Sequence, residues 1–426
     1  MEYFTPFLTK LEHSTWNSKV NVQEGKIVKK KRTALKLLLG LGLVLPLCVP
    51  APAAYAEEPA GQAKAAEPVL APGARSAILL DAGTGTVIYE KNSHDKLPPA
   101  SITKIMTMLL TVEALDAGTL KLTDKVRASE YAASMGGSQI FLEPGEEMTV
   151  DEMLKGIAMA SGNDASVAMA ERIAGSESAF VDLMNKRAQE LGMKDTHFAN
   201  CNGLPAENHY SSAHDIAVMS RELLKHSQIV KYTGAYQDYL RKDSQKPFWL
   251  VNTNKLVRFY TGADGLKTGY TAEAKFCLSA TASRDGLRAV AVVLGEPNTK
   301  TRNSEVAGMF DFLFSHYKVH TIHKAGEQMG TLKIEKGVKA ELPLTAKENY
   351  SVLLKKGVAQ EGIRHELVLP KNVKAPIAKD QTVGKLVVYQ GEAVLKEYEI
   401  KAGEAVGKAG WWQLFKRTAG SMFSRD

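Results

Sequence analysis

One change of texture constrains this chain more than any other feature. From Ser76 to Phe314 segments of strand period alternate with segments of helical period, and beyond about Met329 only short alternating strands between Lys/Gly turns remain. Interspersed strands and helices call for a sheet covered by helices, whereas successive short strands close on one another as a small all-β unit. With 426 residues, 44% hydrophobic and 24% charged, the chain is long enough for both parts to bury a core. The expected fold is therefore mixed α/β (α+β), followed by a small all-β sandwich.

The first part opens with a hairpin, Ala77 to Leu80 and Thr86 to Tyr89 around the turn Asp81 to Gly85. A polar loop, Lys91 to Pro99, leads to Ser101. Ile102, Ile105, Met106, Leu109, Leu110 and Val112 then recur at helical spacing, so Ser101 is expected to open a buried helix. Further helices are expected at Val150–Ala160, Ala165–Ala174, Ala179–Leu191, Ala213–Lys225 and Thr301–Phe314, with strands at Phe276–Ala282 and Leu287–Leu294. In the second part strands are expected at Thr331–Ile334, Tyr350–Leu354, Glu366–Leu369, Lys385–Tyr389 and Leu395–Ile400.

The net charge of +7 sits mostly at the front. Residues 1–56 hold eight Lys/Arg against three acids, leaving 46 basic and 44 acidic side chains in the other 370 residues. No basic block remains to form a phosphate-binding face, so nucleic acid is excluded as a partner. Lys29 to Arg32 precede an apolar run, Leu37 to Val49, and the small-x-small triplet Ala54, Tyr55, Ala56. That pattern is a secretory signal, cut after Ala56, and the run is too short and too broken by Pro46 for a comfortable membrane span. Residues 1–27 precede the basic segment. Gln23-Glu24-Gly25 can be encoded as a purine-rich ribosome-binding sequence ahead of a GTG codon for Val28, so translation from Val28 is expected. Residues 57–73, rich in Ala, Glu, Pro and Gly, read as a linker. Beyond the signal only Cys201 and Cys277 remain, too few for a disulfide scaffold and without zinc spacing; two free or buried thiols and no metal are expected.

The chemistry starts at Ser101 and Lys104. At i, i+3 on a helix both side chains share a face, and a lysine kept neutral by burial and a second cation can take a serine proton. Alone the pair is weak evidence, because Ser93/Lys96 and Ser315/Lys318 repeat the spacing. Only Ser101 opens an apolar helix. Ser161-Gly162-Asn163 follows a helix, and Lys267-Thr268-Gly269 follows Gly262 and Gly265 ahead of a strand. Separately these suit a helix cap and a strand-edge turn. Together, in this order, Ser-x-x-Lys, Ser-x-Asn and Lys-Thr-Gly are the motifs of penicillin-binding proteins and serine β-lactamases.

With Pro99–Thr107, Gly136–Gly145, Ser161–Ala170, Asn200–Leu204, Tyr210–Asp215 and Asp264–Tyr270 added, nearly all of the chain beyond the signal resembles the low-molecular-mass penicillin-binding proteins that are serine-type D-alanyl-D-alanine carboxypeptidases. Among them it is most similar to the sporulation-associated carboxypeptidase of endospore-forming Gram-positive bacteria. The resemblance implies a penicillin-binding, β-lactamase-like transpeptidase domain. It implies Ser101 as nucleophile, Lys104 as general base, Ser161 as proton relay and Asn163 as the group positioning Lys104 and substrate. Lys267 and Thr268 would hold the terminal carboxylate, with Lys267 helping to keep Lys104 neutral. Gly269 would let the substrate strand approach, and the N–H groups of Ser101 and Tyr270 would form the oxyanion hole. The implied partners are stem pentapeptides ending in D-Ala-D-Ala and β-lactams as covalent inhibitors, with no cofactor. The Glu-x-x-Leu-Asn segment of class A β-lactamases is absent, so slow release of penicillin is expected. Endopeptidase or transpeptidase action on cross-links, and a silent wall-peptide receptor, are the alternatives.

On a helical wheel Trp411, Trp412, Phe415, Ala419, Met422 and Phe423 share one face, with Gln413, Lys416, Arg417, Gly420, Ser421 and Ser424 opposite. A helix lying in the surface of a membrane is expected, holding the exported protein at the outer face of the cytoplasmic membrane. The expected divisions are 1–56, extension and signal; 57–73, linker; 74–318, catalytic domain; 319–403, β-sandwich; and 404–426, anchor helix.

Overall fold

The computed structural model describes residues 68–357, 362–371 and 373–416. The expected export signal, most of the linker and the outer turns of the terminal helix lie outside the described residues.

A five-stranded sheet organises the first part. Its strands are β1 (Ser76–Asp81), β2 (Val87–Lys91), β3 (Ala263–Thr271), β4 (Lys275–Arg284) and β5 (Leu287–Glu296), in the order β2-β1-β5-β4-β3. Every neighbouring pair is antiparallel. Side chains alternate across the sheet, so Ile78, Leu80, Val290 and Val292 feed one core while Ala77, Leu79, Ala289, Ala291 and Val293 feed the other. Both faces are covered, which is why all six residues of β1 are buried. On the alanine-rich face the small side chains admit α4 (Thr299–His316), which contributes Val306, Met309, Phe310 and Leu313. The other face receives α1 (Lys104–Asp116), α2 (Asn163–Ala174) and α3 (Ala213–Leu223).

Helix α1 is buried around most of its circumference, and its polar Thr107 is satisfied by donating to the Cys201 carbonyl at 2.6 Å. The expected Val150–Ala160 helix is α-helical only to Lys155, then widens into a π-helical turn over Gly156–Ala160. Two short antiparallel pairs, Lys125–Arg127 with Glu147–Thr149 and Gln237–Leu240 with Phe248–Val251, stand outside the main sheet. Lys267-Thr268-Gly269 precedes the strand β4 as expected, but itself lies within a strand the sequence did not mark, β3, at an edge of the sheet. Of the two glycines ahead of it, Gly262 has positive φ and Gly265 lies inside β3.

The strand texture starts earlier than expected, at β6 (Tyr317–His323), directly after α4 ends at His316. Next come β7 (Gln328–Glu335), β8 (Glu341–Thr345), β9 (Tyr350–Lys355), β10 (Ile363–Val368), β11 (Val373–Lys374), β12 (Thr382–Gln390) and β13 (Ala393–Lys401). They pair as β6-β9, β8-β7-β11 and β10-β12-β13 around a core that includes Leu332, Leu342, Leu344, Leu386, Ile400 and Val406. At the junction Tyr317, Val319 and Leu353 pack on the core that contains Phe314, and Lys356 Nζ donates to the Phe314 carbonyl at 2.7 Å. Lys396 Nζ, far along the β unit, donates to the Thr84 carbonyl at 3.0 Å.

Candidate active site

Three elements converge where β3 meets the start of α1. Ser101 lies in a 3-10 turn, Ala100–Thr103, which tightens the chain just ahead of α1. Lys104, the first residue of α1, therefore faces Ser101 across one turn, with Nζ 3.1 Å from Ser101 Oγ. Its other contacts are 2.6 Å to Asn163 Oδ1 and 2.5 Å to the Asn202 carbonyl oxygen. Both are acceptors only, and the Asn163 amide is oriented by Nδ2 donating to the Gly136 carbonyl at 2.7 Å. A neutral amine has two N–H bonds to give and one lone pair. With the two acceptors taking the N–H bonds, the lone pair is left facing Ser101 Oγ.

Electrostatics favour that neutral form. Lys104 is fully buried, and burial pushes it down to about 7 against the opposing pull of Cys201 and Asp164. Lys267 is buried beside it and held well below its ordinary range, first by burial and then by repulsion from Lys104. Burial is thus the first cause that lets Lys104 shed its proton.

Ser161 follows the π-helical turn and stands at φ 63°, a left-handed conformation uncommon for a residue with a Cβ. It is 4% exposed, and its hydroxyl has no hydrogen-bond partner among the described residues. Asn163 and Asp164 begin α2. The Asp164 carboxylate accepts the N–H groups of Ile140 and Leu142, fixing the 136–142 loop against the site. Arg241 supports the same loop through the Ile140 carbonyl and Glu146.

On the opposite wall Lys267 Nζ donates to the Thr268 carbonyl at 3.0 Å, and Thr268 Oγ1 donates to Thr253 Oγ1 at 2.8 Å. The Thr253 N–H in turn reaches the Met159 carbonyl in the π-helical turn, joining that wall to the Ser161 side. Tyr270 is 57% exposed, its ring 4.5 Å from Phe276. Gly269 also has a reason within the fold. A Cβ there would stand 2.9 Å from the Pro99 carbonyl oxygen and 3.2 Å from Ala100 Cβ and Ile102, so its missing side chain lets β3 close on the Ser101 turn itself. Asn202 and Thr253 were not singled out in the sequence. Asn200–Leu204 carried the resemblance, but a backbone carbonyl leaves no mark in residue type.

Cys201 and Cys277 are both free and buried, as expected. Burial raises both thiols, Cys277 to about 11, so neither is poised as a nucleophile.

The family model for D-alanyl-D-alanine carboxypeptidases matches residues 62–298, more than half of the chain. The chain belongs to that family. A second model, the C-terminal domain of penicillin-binding protein 5, matches residues 317–408. This family member is 52% identical over 390 residues to the D-alanyl-D-alanine carboxypeptidase DacF of Bacillus subtilis, covering 92% of this chain and 98% of that one. It is 32% identical to DacC of Escherichia coli, covering 88% and 95%. Among solved structures, penicillin-binding protein 5 from Haemophilus influenzae aligns with a TM-score of 0.67 at 29% identity, covering 79% of this carboxypeptidase-family chain and 98% of its own. Penicillin-binding protein 3 from Streptococcus pneumoniae, described as a peptidoglycan synthesis regulatory factor, aligns at 0.62 and 26%.

Proposed function

We propose that the protein is a serine-type D-alanyl-D-alanine carboxypeptidase that removes the terminal D-alanine from peptidoglycan stem pentapeptides and is acylated by penicillin. One observation carries the reading: Lys104 has two acceptor-only partners and a third position facing Ser101 Oγ at 3.1 Å. Family membership supports the substrate.

In this mechanism Ser101 Oγ attacks the carbonyl carbon of the penultimate D-alanine while Lys104 Nζ takes its proton. The N–H groups of Ser101 and Tyr270 receive the developing oxyanion. The C–N bond breaks, Ser161 passes a proton to the departing amine, and water later opens the Ser101 ester. Asn163 orients Lys104 and the peptide backbone. Lys267 and Thr268 bind the substrate carboxylate, whose negative charge draws a proton back onto Lys267 and so pairs the two. Gly269 serves this binding strand indirectly, by seating it on the nucleophile's turn.

Placement of the enzyme belongs to the same proposal. An export signal within 1–56 and a linker at 57–73 precede a catalytic domain, 74–318, a β-sandwich, 319–403, and an anchor segment, 404–426. The segment lays the enzyme on the outer face of the cytoplasmic membrane, with the sporulation role that the resemblance implies. Support comes from the short helix over residues 411–416, where Trp411, Trp412 and Phe415 are 69%, 63% and 54% exposed and cluster ring against ring. Among the described residues no helix is long and apolar enough to cross a membrane.

Mass spectrometry tests the activity. The native protein and Ser101→Ala are each incubated with a diacyl pentapeptide ending in D-Ala-D-Ala and, separately, with penicillin. Loss of one alanine and a stable penicillin adduct, both absent in the variant, are expected. Rapid penicillin turnover with an untouched peptide would mean a β-lactamase, and inertness to both a binding protein. A protein ending at Gly410 that still sediments with membranes would overturn the anchor.

A further inference from the structure

The nucleophile's turn is held in an uncommon conformation. Ala100, the residue before Ser101, stands at φ 47°, and neither the 3-10 turn nor α1 begins with a side-chain cap. A strained residue of that kind persists where its surroundings over-determine it. Ser101 cannot supply the restraint, because its hydroxyl has to stay free to react. Thr103 can: it is fully buried, and its Oγ1 lies 2.8 Å from Nε2 of His209.

His209 stands at the neck of the loop that carries Asn202. His197 and Tyr210 close that neck by exchanging backbone N–H to carbonyl bonds of 2.9 and 3.0 Å. Just inside it the Ala199 N–H donates to His209 Nδ1 at 2.9 Å. A backbone N–H can only give, so Nδ1 is the bare nitrogen of the ring, and Nε2 carries the hydrogen and donates to Thr103. A proton on Nδ1 would break the Ala199 bond, and burial, with repulsion from His197 and Lys104, pushes the imidazole down to about 4. The ring is buried and both nitrogens are engaged, so it has nothing left to offer a substrate.

We infer that His209 is a positioning residue for Ser101 and Lys104, its neutral imidazole tying the nucleophile's turn to the loop whose Asn202 carbonyl accepts from Lys104. One turn further along α1, Thr107 Oγ1 donates to the Cys201 carbonyl of the same loop at 2.6 Å, so the imidazole completes a two-point clamp. Without it the turn relaxes from the loop, Ser101 and Lys104 lose their alignment, and water reaches the amine. The charged form of Lys104 then becomes less unfavourable, while the groups that face it stay the same: Asp164 from α2, Cys201 from the loop and Lys267 from β3.

The inference rests on the acylation chemistry proposed above, and the test separates the two. Acylation of the full chain by a labelled penicillin is followed in stopped flow between about pH 6 and 9. His209→Ala should lower the acylation rate about ten-fold at pH 7 and about three-fold at pH 9, the midpoint of the profile rising from about 7 toward 8, with the half-saturating penicillin concentration changed less than two-fold. His209→Gln, whose amide reaches Thr103, should restore rate and midpoint to within about two-fold of native, and His209→Asn, which reaches only Ala199, should not. Thr103→Val deletes the same bond from the other side at nearly constant shape, so it carries the test even if His209→Ala fails to fold. It should reproduce the loss and the raised midpoint, and combining the two substitutions should add nothing further. Circular dichroism melts check folding. A native rate and midpoint in Thr103→Val, a loss equal at every pH, or rescue by Asn as full as by Gln overturns the inference while leaving the carboxypeptidase reading intact. No penicillin adduct on the native protein would overturn both.

Discussion

Around Ser101 the two cationic side chains are buried, Lys104 at 0% and Lys267 at 1% exposure, and each has defined hydrogen-bond partners. In the β unit Lys339 and Lys385 stand 52% and 58% exposed beside Glu404 and Glu397. The residue type is the same and its consequences are opposite. An exposed ammonium group keeps its hydration and its proton, so its pairing changes little. A buried one has lost its water, and only the surrounding acceptors decide how long it stays charged. The difference shows which of the chain's many lysines can act as bases.

The sharpest way to break that contrast is to remove what Lys104 serves. Ser101→Ala should lower D-alanine release by roughly 10⁴-fold or more, with no penicillin adduct by mass spectrometry. Lys104→Met, keeping the bulk and deleting the amine, should slow acylation by about 10³-fold in stopped-flow measurements with a labelled penicillin.

A pH profile sharpens the same point without mutation. Because Lys104 is lowered to about 7, its base form dominates above that pH and is lost below it. Acylation should be nearly flat from pH 8 to 9 and fall about ten-fold per unit below 7, roughly 100-fold by pH 5. A rate still climbing toward pH 10 would mean that Lys104 behaves like the exposed lysines of the β unit. Gly269→Ala should slow acylation by about ten-fold, because the new Cβ pushes β3 off the Pro99 carbonyl and misplaces the substrate relative to Ser101. At the bottom of the scale, Lys339→Ala should leave both acylation and melting temperature unchanged.

What could be read from the sequence was what is local. Ser101 and Lys104 sit within one turn, so their pairing followed from spacing, and the apolar stripe after them marked a buried helix. The long strand β5 was legible because both faces are covered and most of its positions are apolar, and β4 because Phe276, Leu278, Ala280 and Ala282 alternate along it. The strand β3 was not, since Lys267-Thr268-Gly269 by itself suits a strand-edge turn and only pairing with β4 makes it a strand. Asn202 works through its carbonyl, and Thr253 through a tertiary contact formed only when the Phe248–Val251 hairpin folds against the π-helical turn. The packing reason for Gly269 was not legible, because the atoms that fill its Cβ position come from residues 99–102, far away in the chain.

The joint between the two parts has no spare residues: α4 ends at His316, β6 starts at Tyr317, and Phe314, Val319 and Leu353 share one core across it. Such a joint cannot act as a tether. If the C-terminal segment rests on a membrane, the β unit sets a fixed stand-off height for Ser101, like the column of a bench instrument. The enzyme would then work on a thin layer of wall at one distance from the lipid, and lengthening the chain at residue 316 would widen that layer without touching the chemistry.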